Sequence, residues 1–218
     1  MTRNLIIALV GAFVIGLGAM FLTGNGSSSP ITPVNAQSTD LSEVDTSGVM
    51  DPTLGDENAP ITMIEYASFT CPHCASFHAN TFKQLKADYI DTGKVKFVSR
   101  EVYFDRYGLW AGMVARCGGG DRYFGIIDLI YANQREWAQG EPAQIANNLR
   151  KFGLQAGIDN ETLDACMTDA DKATALNAYY QKNAEADGIR STPSFVINGE
   201  LHANMSYDEL KAILDAEL

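Results

Sequence analysis

Two cysteines, separated by a Pro-His pair, stand where a strand-like run passes into a helical pattern. The apolar run from Ile61 to Ala67 is typical of a buried central strand, and Cys71-Pro72-His73-Cys74 follows shortly after it. A second strand-like run extends from Val95 to Val102. The order strand, helix, strand predicts two parallel strands joined by a right-handed crossover.

The helix that begins at the cysteine pair has an apolar face. Proline suits the first turn of a helix, so Pro72 marks its start. Apolar residues recur at steps of three and four positions, which predicts one buried stripe made of Ala75, Ala79, Phe82, Leu85 and Tyr89.

The rest of the chain divides into a helical stretch and a short return to strands. Residues 105–187 have helical periodicity broken by glycines, which predicts four or five helices, one of them capped by Asn160. Strand periodicity returns at Ser194–Ile197, and Asn198-Gly199 predicts a hairpin turn. Ser206 to Glu209 form a capping box for a final helix with Leu210, Ile213 and Leu214 inward.

The cysteine pair itself predicts redox chemistry. A thiol is a nucleophile only as a thiolate, and the free N–H groups at a helix N-terminus favour that anion at Cys71. Cys74, one turn later, can close a disulfide with Cys71 or attack a mixed disulfide formed there. His73 adds positive charge if it is protonated. The alternatives are a structural disulfide or half a zinc site with His78 as a third ligand, but no fourth ligand is near, so no metal is expected.

Net charge excludes one class of partner. Lys and Arg total 16 against 27 Asp and Glu, which gives a formal charge of −11. Such a surface repels phosphate backbones and anionic lipid, so nucleic acid is not an expected partner.

The N-terminal segment predicts export. Arg3 precedes an uncharged apolar run from Leu5 to Leu22, and no further Lys or Arg occurs until Lys83. Residues 1–22 are therefore interpreted as a signal peptide or a membrane anchor, with both left open. Residues 23–55 are rich in small and polar residues and are predicted to be a flexible linker. The folded unit is then predicted as residues 56–104, the insertion 105–187 and residues 188–218.

The two other cysteines, Cys117 and Cys166, are isolated in sequence. In an oxidising compartment they are expected to form a structural disulfide, which by loop entropy would stabilise the fold by about 4 kcal/mol. The alternative, a second redox pair, lacks the short spacing.

These motifs resemble the bacterial DsbA family of thiol-disulfide oxidoreductases. The resemblance rests on Thr70 to Cys74, on Glu65 six residues before Cys71, on the helical insertion, and on Ser191 to Phe195 before Asn198-Gly199. It covers residue 56 to the C-terminus. It implies an α/β structure, namely a thioredoxin fold with an inserted all-helical subdomain.

The resemblance also implies roles for individual residues. Cys71 would be the exposed attacking thiol and Cys74 the buried resolving thiol. Thr192-Pro193 would be a cis peptide against the disulfide, with the Thr192 backbone pairing to the substrate. Glu65 would move protons to and from Cys74.

Alternatives to these roles remain open from the residues alone. Pro193 could simply begin a strand, and strand alternation also allows Glu65 to face solvent. In the family that the chain resembles, a lysine on a strand sometimes partners the buried acid; no lysine clearly occupies that position here, and Arg100 and Ser99 fit it equally well. The aromatic residues of the insertion are expected in its core rather than on a substrate surface: Trp110, Tyr123, Phe124, Tyr131 and Trp137.

Together these features predict an exported disulfide oxidoreductase in the periplasm or at the outer face of the membrane. Its substrates would be unfolded or newly exported proteins, and a membrane reoxidase of the DsbB type is the partner that the resemblance implies. No cofactor is expected beyond the Cys71-Cys74 disulfide, and a monomer is expected because the segment before the fold is interpreted as disordered. Alternatives are an isomerase or reductase of the same fold, a peptide-binding chaperone and a metal carrier.

Overall fold

A five-stranded mixed sheet carries the fold in the computed structural model, which describes residues 41–218. The strand order is β1-β3-β2-β4-β5, and only β2 and β3 are parallel to each other. The strands are β1 (Thr53–Leu54), β2 (Ile61–Ala67), β3 (Val95–Glu101), β4 (Ser194–Ile197) and β5 (Glu200–Ala203). The predicted parallel pair is therefore present at the centre of the sheet.

The predicted signal peptide or anchor, residues 1–22, lies outside the described residues. Most of the predicted linker, up to residue 40, lies outside them as well. From residue 41 onward, no helix is long and apolar enough to cross a membrane.

The linker prediction is wrong for the residues just before the fold. Val49 is 5% exposed, and β1 pairs antiparallel with β3. The Asp51 carboxylate accepts a hydrogen bond from Arg100 Nε at 2.7 Å. Gly55 then turns the chain at φ +93°, where a side chain would collide with the carbonyl oxygen of Val95. A few anchoring contacts fix this segment although its average composition is typical of disorder.

The helix after the cysteine pair is interrupted at Asn80. It consists of α1 (Pro72–Ala79), α2 (Thr81–Leu85) and a π-helical turn (Lys86–Ile90). The predicted stripe is wrong at Ala79, which is exposed because the buried face of α1 includes Cys74, Phe77 and His78 instead.

The insertion contains six helices rather than the predicted four or five. The additional element is a single turn, α5. The helices are α3 (Arg106–Cys117), α4 (Gly120–Ala132), α5 (Gln134–Trp137), α6 (Pro142–Gln155), α7 (Asn160–Thr168) and α8 (Ala170–Ala186). The cap of α7 lies one residue before the predicted Asn160. The side chain of Asp159 accepts a hydrogen bond from the N–H of Thr162, and Asn160 is the first helical residue.

The C-terminal elements follow the sequence pattern closely. Asn198 and Gly199 have φ values of 47° and 90° and join β4 to β5. Ser206 and Glu209 form the capping box of α9 (Tyr207–Ala216). Leu210 and Leu214 of α9 are buried against the sheet, which fixes the final helix on one face.

Two large apolar cores both include residues of α1. One lies between the sheet and the helices α1 and α9, and it includes Phe97 and Phe195. The other fills the insertion and includes Trp137 together with Cys71 and Cys74. The cysteine pair therefore lies where the insertion packs onto the first part of the fold.

Candidate active site

The loop between β2 and α1 places Cys71 at the N-cap of α1 and Pro72 in its first turn. Both Cys71 and Cys74 are free thiols. Cys71 is 9% exposed and Cys74 is fully buried, so the expectation that Cys71 is an exposed thiol is wrong. The shielding comes from the insertion and from the cis-proline loop, and Cys71 is still the more accessible sulfur of the two.

The two thiols have opposite acidities. A hydrogen bond from the Cys74 thiol lowers the pKa of Cys71 to about 5, against the effect of burial, with help from Thr192 and from the backbone N–H groups of Cys74 and His73. The same hydrogen bond, burial and the negative charge of Glu65 raise the pKa of Cys74 far above its ordinary value. The helix start thus holds one thiolate and one thiol side by side.

His73 contributes through its backbone in this arrangement. Its side chain is exposed, whereas its N–H group is among those that stabilise the Cys71 thiolate.

The loop before β4 lies against Cys71. The Thr192–Pro193 peptide bond is cis, and Pro193 is buried. Sγ of Cys71 lies 3.4 Å from the carbonyl oxygen of Thr192 and donates a hydrogen bond to it only when the thiol is protonated. The alternative that Pro193 begins a strand does not hold, because β4 starts at Ser194.

Glu65 is buried in the centre of the sheet, which excludes the solvent-facing alternative. It lies opposite Ser99 on β3 and opposite Phe195 on β4, with no exposed surface. Its Oε2 atom is 2.9 Å from Nε2 of His78, which is also buried. The partner of the buried acid is therefore a histidine on α1.

Neither residue proposed as that partner makes a side-chain hydrogen bond or an ion pair with Glu65. The guanidinium group of Arg100 instead forms ion pairs with Asp51 and Asp187. The hydroxyl of Ser99 is within 3.1 Å of the hydroxyl of Tyr123. Within residues 41–218, no group of three or more His, Cys, Asp or Glu is placed to hold a metal ion.

Two polar side chains of the insertion hold the cysteine loop, and no sequence pattern marks either of them. The buried amide of Gln134 donates to the carbonyl oxygens of Phe69 and Cys71 at 2.8 and 2.9 Å. Asp105 caps α3 and accepts a hydrogen bond from the Thr70 hydroxyl at 2.8 Å. No periodicity marks such contacts, because they join segments far apart in sequence.

The remaining predicted residues have structural positions. Cys117 and Cys166 form a disulfide that joins the end of α3 to α7. Tyr123, Tyr131 and Trp137 are buried in the insertion, and Trp110 and Phe124 are partly buried against the same core.

Comparison with known proteins gives consistent matches. A family model described as thioredoxin matches residues 47–216, a range that includes β1. A protein-disulfide oxidoreductase of Rickettsia bellii is 33% identical over 170 residues, which cover 76% of this chain and 63% of the relative. Disulfide bond formation protein D of Bacillus subtilis is 26% identical over 180 residues, 77% of each chain. The crystal structure of Wolbachia pipientis alpha-DsbA1 matches with a TM-score of 0.70 and 28% identity, over 76% of this chain and 89% of that chain.

The extent of these matches differs between relatives. This chain spans about three fifths of the length of the Rickettsia proteins that it matches. The sheet, the inserted helices and the structural match confirm the predicted thioredoxin fold with a helical insertion. This chain therefore belongs to the thioredoxin family and resembles the DsbA-type disulfide oxidoreductases within it.

Proposed function

We propose that this chain is a thiol-disulfide oxidoreductase that donates its Cys71-Cys74 disulfide to exported proteins. The observation that carries this proposal is the opposite acidity of the two sulfurs, with the pKa of Cys71 lowered to about 5 and that of Cys74 raised. A sulfur with a low pKa is a good leaving group in disulfide exchange. The same interactions stabilise the reduced form, so the disulfide form is a strong oxidant.

The reaction consists of two exchange steps. A substrate thiolate attacks Sγ of Cys71, the Cys71-Cys74 bond breaks, and Cys74 takes the electron pair and then a proton. A second substrate thiolate attacks the substrate sulfur of this mixed disulfide, and Cys71 leaves as a thiolate. The substrate gains one disulfide and loses two electrons, and the enzyme gains them as a dithiol.

Substrate chain is expected to lie against the cis-proline loop. The carbonyl oxygen of Thr192 is adjacent to Sγ of Cys71, so an extended substrate beside this loop brings its cysteine to the sulfur. Glu65 serves in the same reaction as the group that gives a proton to Cys74 and removes it again.

We place this reaction outside the cytoplasm. The apolar segment from Leu5 to Leu22 supports export, and the Cys117–Cys166 disulfide is of a kind that persists in oxidising compartments. A disulfide donor must be reoxidised, and a membrane oxidase of the DsbB type would supply that step. Substrates would be newly exported proteins with unpaired cysteines.

A stoichiometric oxidation assay tests the proposal. Oxidised protein is mixed with a reduced, unfolded protein that contains two cysteines, and the products are alkylated and separated. The expected result is one substrate disulfide formed for each Cys71-Cys74 disulfide lost. A protein that instead only rearranges scrambled disulfides, or only reduces insulin, would be an isomerase or a reductase.

A further inference from the structure

The buried acid next to the cysteine pair has no direct path to water. Glu65 and Cys74 are both fully buried, yet the disulfide exchange proposed above requires Cys74 to gain a proton and to lose it again. The charge of Glu65 raises the pKa of Cys74, so the two groups are close enough to interact. A proton that Glu65 takes from Cys74 must therefore leave through another group.

His78 is placed to be that group. It follows Cys74 by four residues in α1, so the two side chains lie on the same helix face. Its Nε2 atom is 2.9 Å from Oε2 of Glu65. Its ring is stacked on Tyr131, with centroids 4.2 Å apart and planes 19° apart, and it also packs on Phe82 at 4.8 Å. The packing fixes the orientation of the ring, so Nε2 is held toward the acid.

The other ring nitrogen of His78 has no partner. Within the described part of the chain, Nδ1 is buried and makes no hydrogen bond. Both ring nitrogens of a buried neutral histidine normally make hydrogen bonds, because a buried polar atom without a hydrogen bond lowers the stability of the fold. Nδ1 is therefore the nitrogen of His78 that a water molecule would have to satisfy.

A cavity connects the histidine to the surface. Its volume is about 270 Å³, room for several water molecules, and His78 forms part of its wall. The lining also includes Tyr131, Lys83, Lys86 and Asp128. Lys83 and Asp128 are exposed, so this end of the cavity is open to solvent and carries charges of both signs.

We propose that His78 relays protons between Glu65 and water in this cavity. The proposal rests on the disulfide exchange proposed above and adds a route for its protons. His78 does not touch the reacting sulfurs, so it acts only through Glu65.

The steps balance in both directions. When Cys74 loses its proton, the Glu65 carboxylate accepts it and passes it to Nε2 of His78, and the ring releases its Nδ1 proton to water. When Cys74 must be protonated, water protonates Nδ1, Nε2–H is donated to Glu65, and Glu65 protonates Cys74. One direction leaves the proton on Nε2 and the other leaves it on Nδ1. A full cycle of oxidation and reoxidation therefore restores the tautomer without any rotation of the ring.

The relay is tested on the step in which Cys74 loses its proton. The Cys71–glutathione mixed disulfide is prepared, and the release of glutathione is followed by acid quenching and mass spectrometry in His78→Ala and His78→Gln. Alanine enlarges the cavity, whereas glutamine keeps a hydrogen-bond donor toward Glu65 but cannot relay a proton. General acid–base groups typically contribute about 10²- to 10⁴-fold to a rate. We expect both variants to release glutathione about a hundredfold more slowly, which is the lower end of that range.

Added imidazole separates proton transfer from a structural role. Imidazole should restore the rate of His78→Ala in proportion to its concentration and should leave His78→Gln slow. His202→Gln is the matched control, since His202 lies on β5 and is not part of the cavity lining. It should release glutathione at the unaltered rate, with no response to imidazole.

Three outcomes would contradict either the His78 relay or the proposed disulfide exchange. A His78→Gln protein that releases glutathione at the unaltered rate would overturn the relay, and so would a folded His78→Ala protein that imidazole does not restore. If His78→Ala does not fold, the glutamine variant decides alone. Failure of the unaltered protein to form a mixed disulfide at Cys71 would instead contradict the proposed function.

Discussion

The side-chain amide of Gln134 donates a hydrogen bond to the carbonyl oxygen of Cys71 at 2.9 Å. Gln134 belongs to α5 of the insertion, and Cys71 begins α1 of the first part of the fold. The same amide nitrogen also binds the carbonyl oxygen of Phe69. The insertion therefore fixes the backbone that carries the reactive sulfur.

Replacing Gln134 should destabilise the protein through this loop. In Gln134→Leu the buried carbonyl oxygen of Phe69 loses its donor, whereas that of Cys71 keeps a hydrogen bond from the N–H of Ala75. An unsatisfied buried polar group costs about 1–3 kcal/mol, so the free energy of unfolding in denaturant should fall by that amount. Gln139→Leu, at an exposed glutamine nearby in sequence, should leave it almost unchanged. Equal stability of the two variants would contradict this anchoring role.

The Cys117–Cys166 disulfide should stabilise the fold and take no part in the exchange reaction. The cysteines are 49 residues apart, and closing such a loop stabilises a fold by about 4 kcal/mol on the chain-entropy model. The double variant Cys117→Ala/Cys166→Ala should lose stability on that scale in denaturant unfolding. It should still react at Cys71 with an alkylating reagent at the original rate. Loss of Cys71 reactivity in a folded double variant would show that the second pair is functional.

The buried ion pair of Glu101 and Arg116 gives a third test. Both side chains are less than 10% exposed, and Tyr123 also donates to Glu101 at 3.0 Å. Arg116→Met leaves the Glu101 charge buried without its partner, which typically costs about 3–5 kcal/mol in unfolding free energy. Lys211→Met breaks an exposed pair with Asp215 and should change the unfolding free energy far less. Similar effects in denaturant unfolding would mean that Glu101 is solvated.

Sequence periodicity predicts the order of the elements from β2 onward, and local residue patterns predict the turns. Asn198-Gly199 and the Ser206–Glu209 capping box depend on neighbouring residues, so the sequence pattern and the structure agree there. The position of Cys71 at a helix start is also a local property, because Pro72 and the preceding strand define it.

Contacts between distant segments could not be predicted in the same way. The anchoring of β1 depends on a pairing with β3 and on Arg100, which no local pattern reveals. His78 was recognisable only as a possible metal ligand, because its partner Glu65 lies on a strand whose exposed face could not be assigned from alternation. Gln134 had no sequence signal at all.

The acidity of Cys71 can be measured directly. Its pKa of about 5 predicts that the ultraviolet absorbance of the thiolate rises with a midpoint near pH 5 in the reduced protein. Because the hydrogen bond from the Cys74 thiol lowers the pKa of Cys71 most, the midpoint should move to higher pH in Cys74→Ala. That variant should also accumulate mixed disulfides with substrate, since no second sulfur can resolve them. A midpoint near the ordinary thiol value of about 8.5 would contradict the site geometry.

The direction of electron flow follows from the same pKa. A thiol whose pKa is lowered in the folded state stabilises that state fully above the unfolded value of about 8.5, and this stabilisation is lost as the pH falls through about 5. It acts only in the reduced protein, since Cys71 has no charge when it is part of a disulfide. At pH 7 much of this stabilisation is still present.

Thermal unfolding of the two redox forms across pH tests the disulfide-donor function most directly. Cys117 and Cys166 are kept bonded in both forms, and the melting temperature is measured from neutral pH down to below pH 5. The proposed function predicts that the reduced protein melts at the higher temperature at pH 7 and that the difference shrinks in acid. An oxidised protein with the higher melting temperature at pH 7 would contradict the donor function and favour a reductase.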